Sequence, residues 1–212
     1  MPKTIIEKTN AKSPSTRTIK KAARIIKSGG LVIYPTETCY GLAADATNSR
    51  AVRKVFTAKD RPTGKPLPII VSSARMMEKY GKMTRLVRAL AGKFMPGPLT
   101  IVTDKKKTVP KILNPDSIAF RISSHKIASK LALAAAGPIT ATSANISGRQ
   151  PIYDAKNLIK VFDGRVDMIL DCGKLKKVKP STYVDARSGK ILRRGAIPSA
   201  KIVNFIERAT KR

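Results

Sequence analysis

Apolar side chains return at helical spacing at Ile19, Ala22, Ala23 and Ile26, and Gly29-Gly30 ends the pattern, which predicts a helix over 16–28. A short buried strand follows at 31–34, closed by Pro35. Ala51, Val52, Val55 and Phe56 mark one face of a second helix, 49–58, and a Lys-Asp-Arg-Pro-Thr-Gly-Lys-Pro loop leads from it into a strand at 67–71. Two shorter helices, 75–81 and 84–92, precede the Pro96-Gly97-Pro98 turn and a strand at 99–103. Further strands are predicted at 117–122, 139–142, 168–170, 182–185 and 190–193, with helices at 126–136, 154–162 and 199–209. Strands alternating with helices imply an α/β fold with a largely buried sheet. No Pro/Gly/Ser-rich stretch divides the pattern, so a single domain over 1–212 is expected, and no solenoid repeat interrupts it.

The candidate functional loops all follow a strand or a helix end, where a scaffold can aim side chains at one cavity. No run of eighteen apolar residues is present and the N-terminus lacks a secretory apolar run, so no membrane span and a cytoplasmic location are expected. Cys39 and Cys172 are too few and too isolated for a disulfide framework or a zinc site. They read as reduced thiols, Cys39 as a small packing residue. Charge changes the picture most: 43 Lys and Arg against 13 Asp and Glu leave +30. The basic residues recur at Lys20-Lys21, Lys105 to Lys107, Lys174 to Lys179, Arg193-Arg194 and Lys211-Arg212. Such a surface either keeps a small protein soluble or meets a polyanion.

Several standard sites are excluded. No Gly-Lys pair precedes Ser or Thr, so there is no phosphate-binding P-loop, and no Gly-x-Gly marks a dinucleotide fold. His125 is the only histidine, which leaves little for a histidine triad or a His-ligated metal, and it reads as structural at the start of a helix. What remains is a set of cations and hydrogen-bond donors. Lys59 and Arg61 place two cations in a loop that Pro62 and Gly64 bend, with Lys65 a third candidate for a phosphate. The same run also reads as an exposed helix cap. Ser143 and Asn145 form a polar turn after a strand, able to donate to phosphate oxygens or to satisfy their own backbone, and Arg149 follows within reach. Thr36 and Tyr40 lie in a post-strand loop, Tyr40 as a pocket wall. Arg121 ends an apolar strand, a costly position for a cation that meets no anion.

Five separated blocks carry a resemblance: Pro35 to Leu42, Lys59-Asp60-Arg61-Pro62, Met95 to Thr100, Ser143-Ala144-Asn145 and Pro180 to Thr182. In this order the chain resembles the YrdC-like threonylcarbamoyl-AMP synthases from about residue 30 to 197. The resemblance implies a twisted mixed sheet flanked by helices around a large concave groove. It implies a nucleotidyltransferase that joins ATP, L-threonine and bicarbonate into threonylcarbamoyl-adenylate and pyrophosphate for tRNA N6-threonylcarbamoyladenosine (t6A) modification. It assigns Lys59, Arg61, Lys65, Ser143, Asn145, Arg149 and Arg193 to ATP, with Lys59 and Arg61 catalytic, and Thr36, Tyr40, Arg121 and Ser181 to threonine.

Magnesium is expected on the triphosphate, without a protein metal site, since no acidic cluster is available. A downstream tRNA transferase is the expected consumer of the product. Direct RNA contact is expected from the surplus charge, with Lys105 to Lys107 and Lys174 to Lys179 as leading positions near the groove. Arg194, Cys39 and Ile70 stand where many relatives have proline, an aliphatic residue and, in long forms, histidine; none of these changes removes a required cation or donor. A non-catalytic RNA-binding or ribosome-maturation factor using the same groove, and a module of a carbamoyl-phosphate-using enzyme, are the other readings open at this point.

Overall fold

The computed structural model describes residues 3–210, and the basic pair Lys211-Arg212 lies outside them. The chain runs β1 (Ile5–Lys8), α1 (Thr16–Lys27), β2 (Val32–Pro35), β3 (Tyr40–Ala43), α2 (Ser49–Ala58) and β4 (Ile69–Ile70). Helices α3 (Ala74–Tyr80) and α4 (Arg85–Phe94) lead to β5 (Leu99–Asp104), β6 (Ser117–Arg121) and α5 (Lys126–Ala134). Two very short strands, β7 (Ile139–Thr140) and β8 (Thr142–Ser143), precede α6 (Ala155–Phe162) and β9 (Met168–Asp171). The order closes with β10 (Thr182–Asp185), β11 (Ile191–Arg193) and α7 (Ser199–Thr210).

Helices α2 to α6 start where the sequence offers a side-chain acceptor to free backbone N–H groups. Asn48 accepts from Arg50 and Ala51 at α2, Ser73 and Thr84 cap α3 and α4, and Asp154 caps α6. His125 caps α5, its Nδ1 accepting from the Ile127 N–H at 3.3 Å. The structural reading of the lone histidine therefore has a mechanism.

The mixed α/β architecture is present as two sheets. One runs β1-β9-β2-β3-β8 and the other β11-β10-β5-β6-β4-β7. Each combines parallel pairs, such as β1 with β9 and β4 with β6, and antiparallel ones, such as β2 with β3 and β5 with β6. A single strand was expected at 139–142. Instead β7 pairs with β4 in the second sheet and β8 with β3 in the first, so this segment is a seam between them. Helices α1 and α5 bury Ile19, Ala22, Ile26, Ile127 and Leu131 with Val32, Tyr34 and Met168 of the first sheet. A larger apolar cluster joins both sheets, with Ile33 and Leu42 from the first and Ile101, Phe120 and Val184 from the second.

Candidate active site

A cavity of about 550 Å³ opens where the two sheets meet. Thr38 and Cys39 of the β2–β3 turn and Ser143 of β8 face it from the first sheet. Thr100 on β5, Arg121 at the end of β6, Tyr183 on β10 and Arg193 on β11 face it from the second, with Ser181 just before β10 and Arg61 from the loop after α2. The structure thus brings Arg61, Arg121, Ser143, Ser181 and Arg193 to one cavity. No acidic side chain lines it.

Lys59 ends α2 and is 1% exposed. Asp60 then takes a left-handed φ of 48° and turns the chain outward, a conformation Asp tolerates better than most residues. The Lys59 ammonium donates to the Ser143 carbonyl and, at 2.7 Å, to the Asn145 carbonyl, while the Ser147 N–H donates back to the Lys59 carbonyl at 2.7 Å. The Ser143 hydroxyl donates to Asn145 Oδ1, and Asn145 Nδ2 donates to the carbonyls of Ile146 and Arg149. Two loops 84 residues apart are therefore wired into one unit. Burial first, then repulsion from Arg61, lowers the Lys59 pKa to about 8.

Arg121 is 7% exposed at the base of the cavity. Its Nη1 donates to Thr38 Oγ1 at 3.2 Å, and its Nη2 lies 3.0 Å from Glu37 Oε1, close enough for an ion pair but not aligned for a hydrogen bond. Burial alone would raise Glu37; Arg121 and the Ser123 hydroxyl outweigh it and hold the carboxyl below its usual range. Among the described residues, four buried side-chain polar atoms have no hydrogen-bond partner, and three of them are Arg61 Nε and Arg121 Nε and Nη2. Arg121 Nη2 has the Glu37 carboxylate as its ion-pair partner, which leaves the Nε of each arginine as a buried donor free to meet an acceptor from outside the chain. Across the cavity, Arg193 donates to the Ser181 carbonyl at 2.8 and 3.1 Å and to its hydroxyl at 3.0 Å, with its guanidinium 4.2 Å from the Tyr183 ring centroid. Ser181 Oγ also lies 2.9 Å from Thr100 Oγ1.

The other expected site residues stand apart. Tyr40 does not wall the cavity: it belongs to β3, is fully buried, and its hydroxyl donates to the Gly173 carbonyl and accepts from the Cys172 N–H, each at 2.9 Å. The antiparallel pairing of β3 with β2 fixes that orientation. Thr36 shapes the β2–β3 turn, its hydroxyl donating to the Cys39 carbonyl at 2.7 Å, and it is Thr38 that lines the cavity. Lys65 and Arg149 are exposed and lie beside the lining residues Pro66 and Gln150. Thr38, Thr100 and Tyr183 also line the cavity and were not among the expected residues, although they fall within or next to the five sequence blocks. Lys105 to Lys107 leave the far end of β5 from Thr100, roughly 17 Å or more along the strand, so they do not border this cavity.

The domain model for Sua5, YciO and YrdC, described as telomere recombination, matches residues 24–195. The chain belongs to this family. A Pyrococcus abyssi protein named threonylcarbamoyl-AMP synthase is 38% identical over 89% of this chain and 57% of its own length. A Methanocaldococcus jannaschii protein provisionally given the same name is 40% identical over 84% of this chain and 85% of its own. The crystal structure of Pyrococcus abyssi Sua5 complexed with L-threonine superposes with a TM-score of 0.91 at 36% identity, covering 96% of this chain and 61% of that one. The chain thus spans about three fifths of the Pyrococcus abyssi relative.

Proposed function

We propose that this protein is an L-threonylcarbamoyladenylate synthase, forming threonylcarbamoyl-AMP and pyrophosphate from ATP, L-threonine and bicarbonate. The observation that carries the reading is the pair of arginines, Arg61 and Arg121, each with a buried Nε that has no hydrogen-bond partner, at a cavity with no acidic lining. The threonine-bound relative of the same family supports threonine as a substrate.

In the proposed reaction the threonine amine takes up bicarbonate or carbon dioxide as a carbamate, whose oxygen attacks the α-phosphate of ATP and expels pyrophosphate. No protein nucleophile is needed. The chain's part is to hold anionic reactants in line and to offset the charge that builds on the phosphates. Arg121 pairs with the threonine carboxylate beside Thr38, and Ser181 faces the same cavity from across it. Arg61, from the loop after α2, and Arg193, on β11, face the triphosphate, and Ser143 supplies a hydroxyl. Lys59 acts from beneath, through the Ser143–Asn145 loop it holds, and reaches phosphate when that loop opens. Magnesium fits as a passenger on the triphosphate, because the cavity offers hydroxyls and cations rather than carboxylates.

A transferase that moves the threonylcarbamoyl group to tRNA for the t6A modification is the proposed consumer, in the cytoplasm. Lysines 174 to 179 border the cavity through Val178, with Lys177 6.0 Å from the Tyr153 ring centroid, and give RNA a place near the product. The deciding experiment is pyrophosphate release with and without L-threonine and bicarbonate. Turnover that requires both is expected, and release indifferent to threonine would overturn the reading.

A further inference from the structure

Helices α4 and α7 pack with Phe94 and Phe205 edge to face, ring centroids 5.3 Å apart. Beside these rings lies a second cavity, about 640 Å³, that shares no lining residue with the first. Arg85, Ala89 and Lys93 recur every fourth residue on α4, and Lys201, Asn204, Phe205 and Arg208 follow helical spacing on α7, so each helix turns one stripe toward the cleft. Four of these side chains are cations, all exposed, and no acidic side chain lines the cleft.

Among the described residues, ion pairs and backbone carbonyls tie down some of the surface cations, but not the four in this cleft. Arg88 is paired with Glu78, Arg165 with Asp60, and Arg187 with Asp185, while the amines of Lys105 and Lys106 sit on backbone carbonyls. Arg85, Lys93, Lys201 and Arg208 take part in no ion pair among the described residues. Arg85 and Lys93 are eight residues apart on one helix, about 12 Å at the helical rise, a reach of several successive phosphates. The aromatic pair in the floor offers a base a surface to stack on.

We propose that the α4–α7 cleft is an RNA-docking site that holds the phosphate backbone of a structured RNA through Arg85, Lys93, Lys201 and Arg208. A short acidic protein segment would meet the same four charges. RNA is favoured because a long polyanion also gains from the rest of a surface carrying +30, which a short segment does not. The site stands independently of the chemistry in the groove.

The test is fluorescence anisotropy of a labelled, unmodified tRNA transcript at 50 and 200 mM KCl. Three proteins are compared: the parent, an Arg85→Gln/Lys93→Gln/Lys201→Gln/Arg208→Gln variant, and a charge-matched Lys105→Gln/Lys106→Gln/Lys107→Gln/Lys111→Gln variant. The cleft variant should bind at least tenfold more weakly at 200 mM and lose about 3 to 3.5 from the slope of log affinity against log salt, at roughly 0.7 to 0.9 for each of four phosphate contacts. The matched variant should lose less than half of that, and threonine-dependent pyrophosphate release should persist in both. If the fourfold cleft variant does not fold, the pairs Arg85→Gln/Lys93→Gln and Lys201→Gln/Arg208→Gln are each read the same way. Parent-like binding by the cleft variants, equal losses in the matched variant, or no binding by the parent at 50 mM would each overturn the proposal. So would labelled poly-L-glutamate binding that depends on the four residues while tRNA binding does not, which would reassign the cleft to an acidic protein partner.

Discussion

Lys59 carries a charge that the fold accommodates only by giving its ammonium two backbone carbonyls, those of Ser143 and Asn145. Its pKa, near 8, lies below the 10.5 of an ordinary lysine. Between those values the unfolded chain holds a proton that the folded one has released, so this residue's contribution to stability rises with pH across the window and is least favourable below it. Nucleotide has the opposite preference, since a triphosphate favours the charged amine. ATP affinity should therefore weaken as pH passes upward through 8, by up to about tenfold per unit, and the loss should vanish in Lys59→Met, which binds ATP more weakly at pH 7. Calorimetric titration at pH 7, 8 and 9 checks this, and a parent affinity flat over that range would remove Lys59 from the nucleotide site. Arg121 makes a separate prediction. Arg121→Ala should weaken threonine binding tenfold to a hundredfold, the scale of a lost charged hydrogen bond, while ATP affinity changes by less than about threefold. Unchanged threonine affinity in a folded Arg121→Ala protein would break the assignment.

At the scale of elements, the cavity depends on how tightly the chain after β11 packs beneath Ser181. A Cβ at Gly195 would come within 2.3 Å of the Pro180 carbonyl oxygen and 2.6 Å of the Thr182 nitrogen, backbone atoms that cannot swing aside. Gly195→Ala should lower stability by about 1 to 3 kcal/mol, the range for overpacking, and weaken threonine binding by shifting Ser181. Gly92, inside α4 with nothing within 4 Å of such a Cβ, is the contrast: Gly92→Ala should stabilise by up to about 1 kcal/mol. Denaturant midpoints of the two variants moving in the same direction would contradict the packing argument. These elements were unequally legible in the sequence. Helix α2 matches its expected bounds, 49–58, because a single apolar stripe is a local signal. Strands β1 and β3 were not foreseen. Ile5–Lys8 is mostly exposed and is a strand only because β9, more than 160 residues away, pairs with it. Tyr40–Ala43 is four residues with a glycine inside, defined by pairing with β2 and β8. The placement of Tyr40 failed with that strand. Arg61, Ser143 and Ser181 lie in the motif blocks and Arg121 shows as a cation in an apolar strand, while Arg193 came from the resemblance alone; the inward turn of Lys59 onto a neighbouring loop leaves no trace in spacing.

The whole molecule is two sheets sharing one apolar cluster, and the cavity draws its walls from both, Thr38 and Ser143 from one and Thr100, Arg121 and Tyr183 from the other. A ligand that touches both walls opposes their separation, so its binding energy should appear in the unfolding of the entire chain. At a concentration a hundred times its dissociation constant a ligand adds about 2.7 kcal/mol, which for a domain of this size is a rise in Tm of roughly 5 to 10 °C. ATP and threonine should differ in how that rise responds to salt. ATP brings several negative charges into a cavity lined by Arg61, Arg121 and Arg193 and no acid, on a chain of net charge +30. On the proposed reading that field both steers and stabilises its association, and salt screens it over about 10 Å at 0.1 M. Threonine is a zwitterion that the proposed assignment holds at short range by Arg121, where screening is weak. Raising KCl from 50 to 300 mM at fixed ligand should cut the ATP-induced rise by half or more and leave the threonine-induced rise within a degree or two. Equal salt sensitivity for the two ligands would mean that they share one electrostatic site rather than occupying the two ends of the cavity.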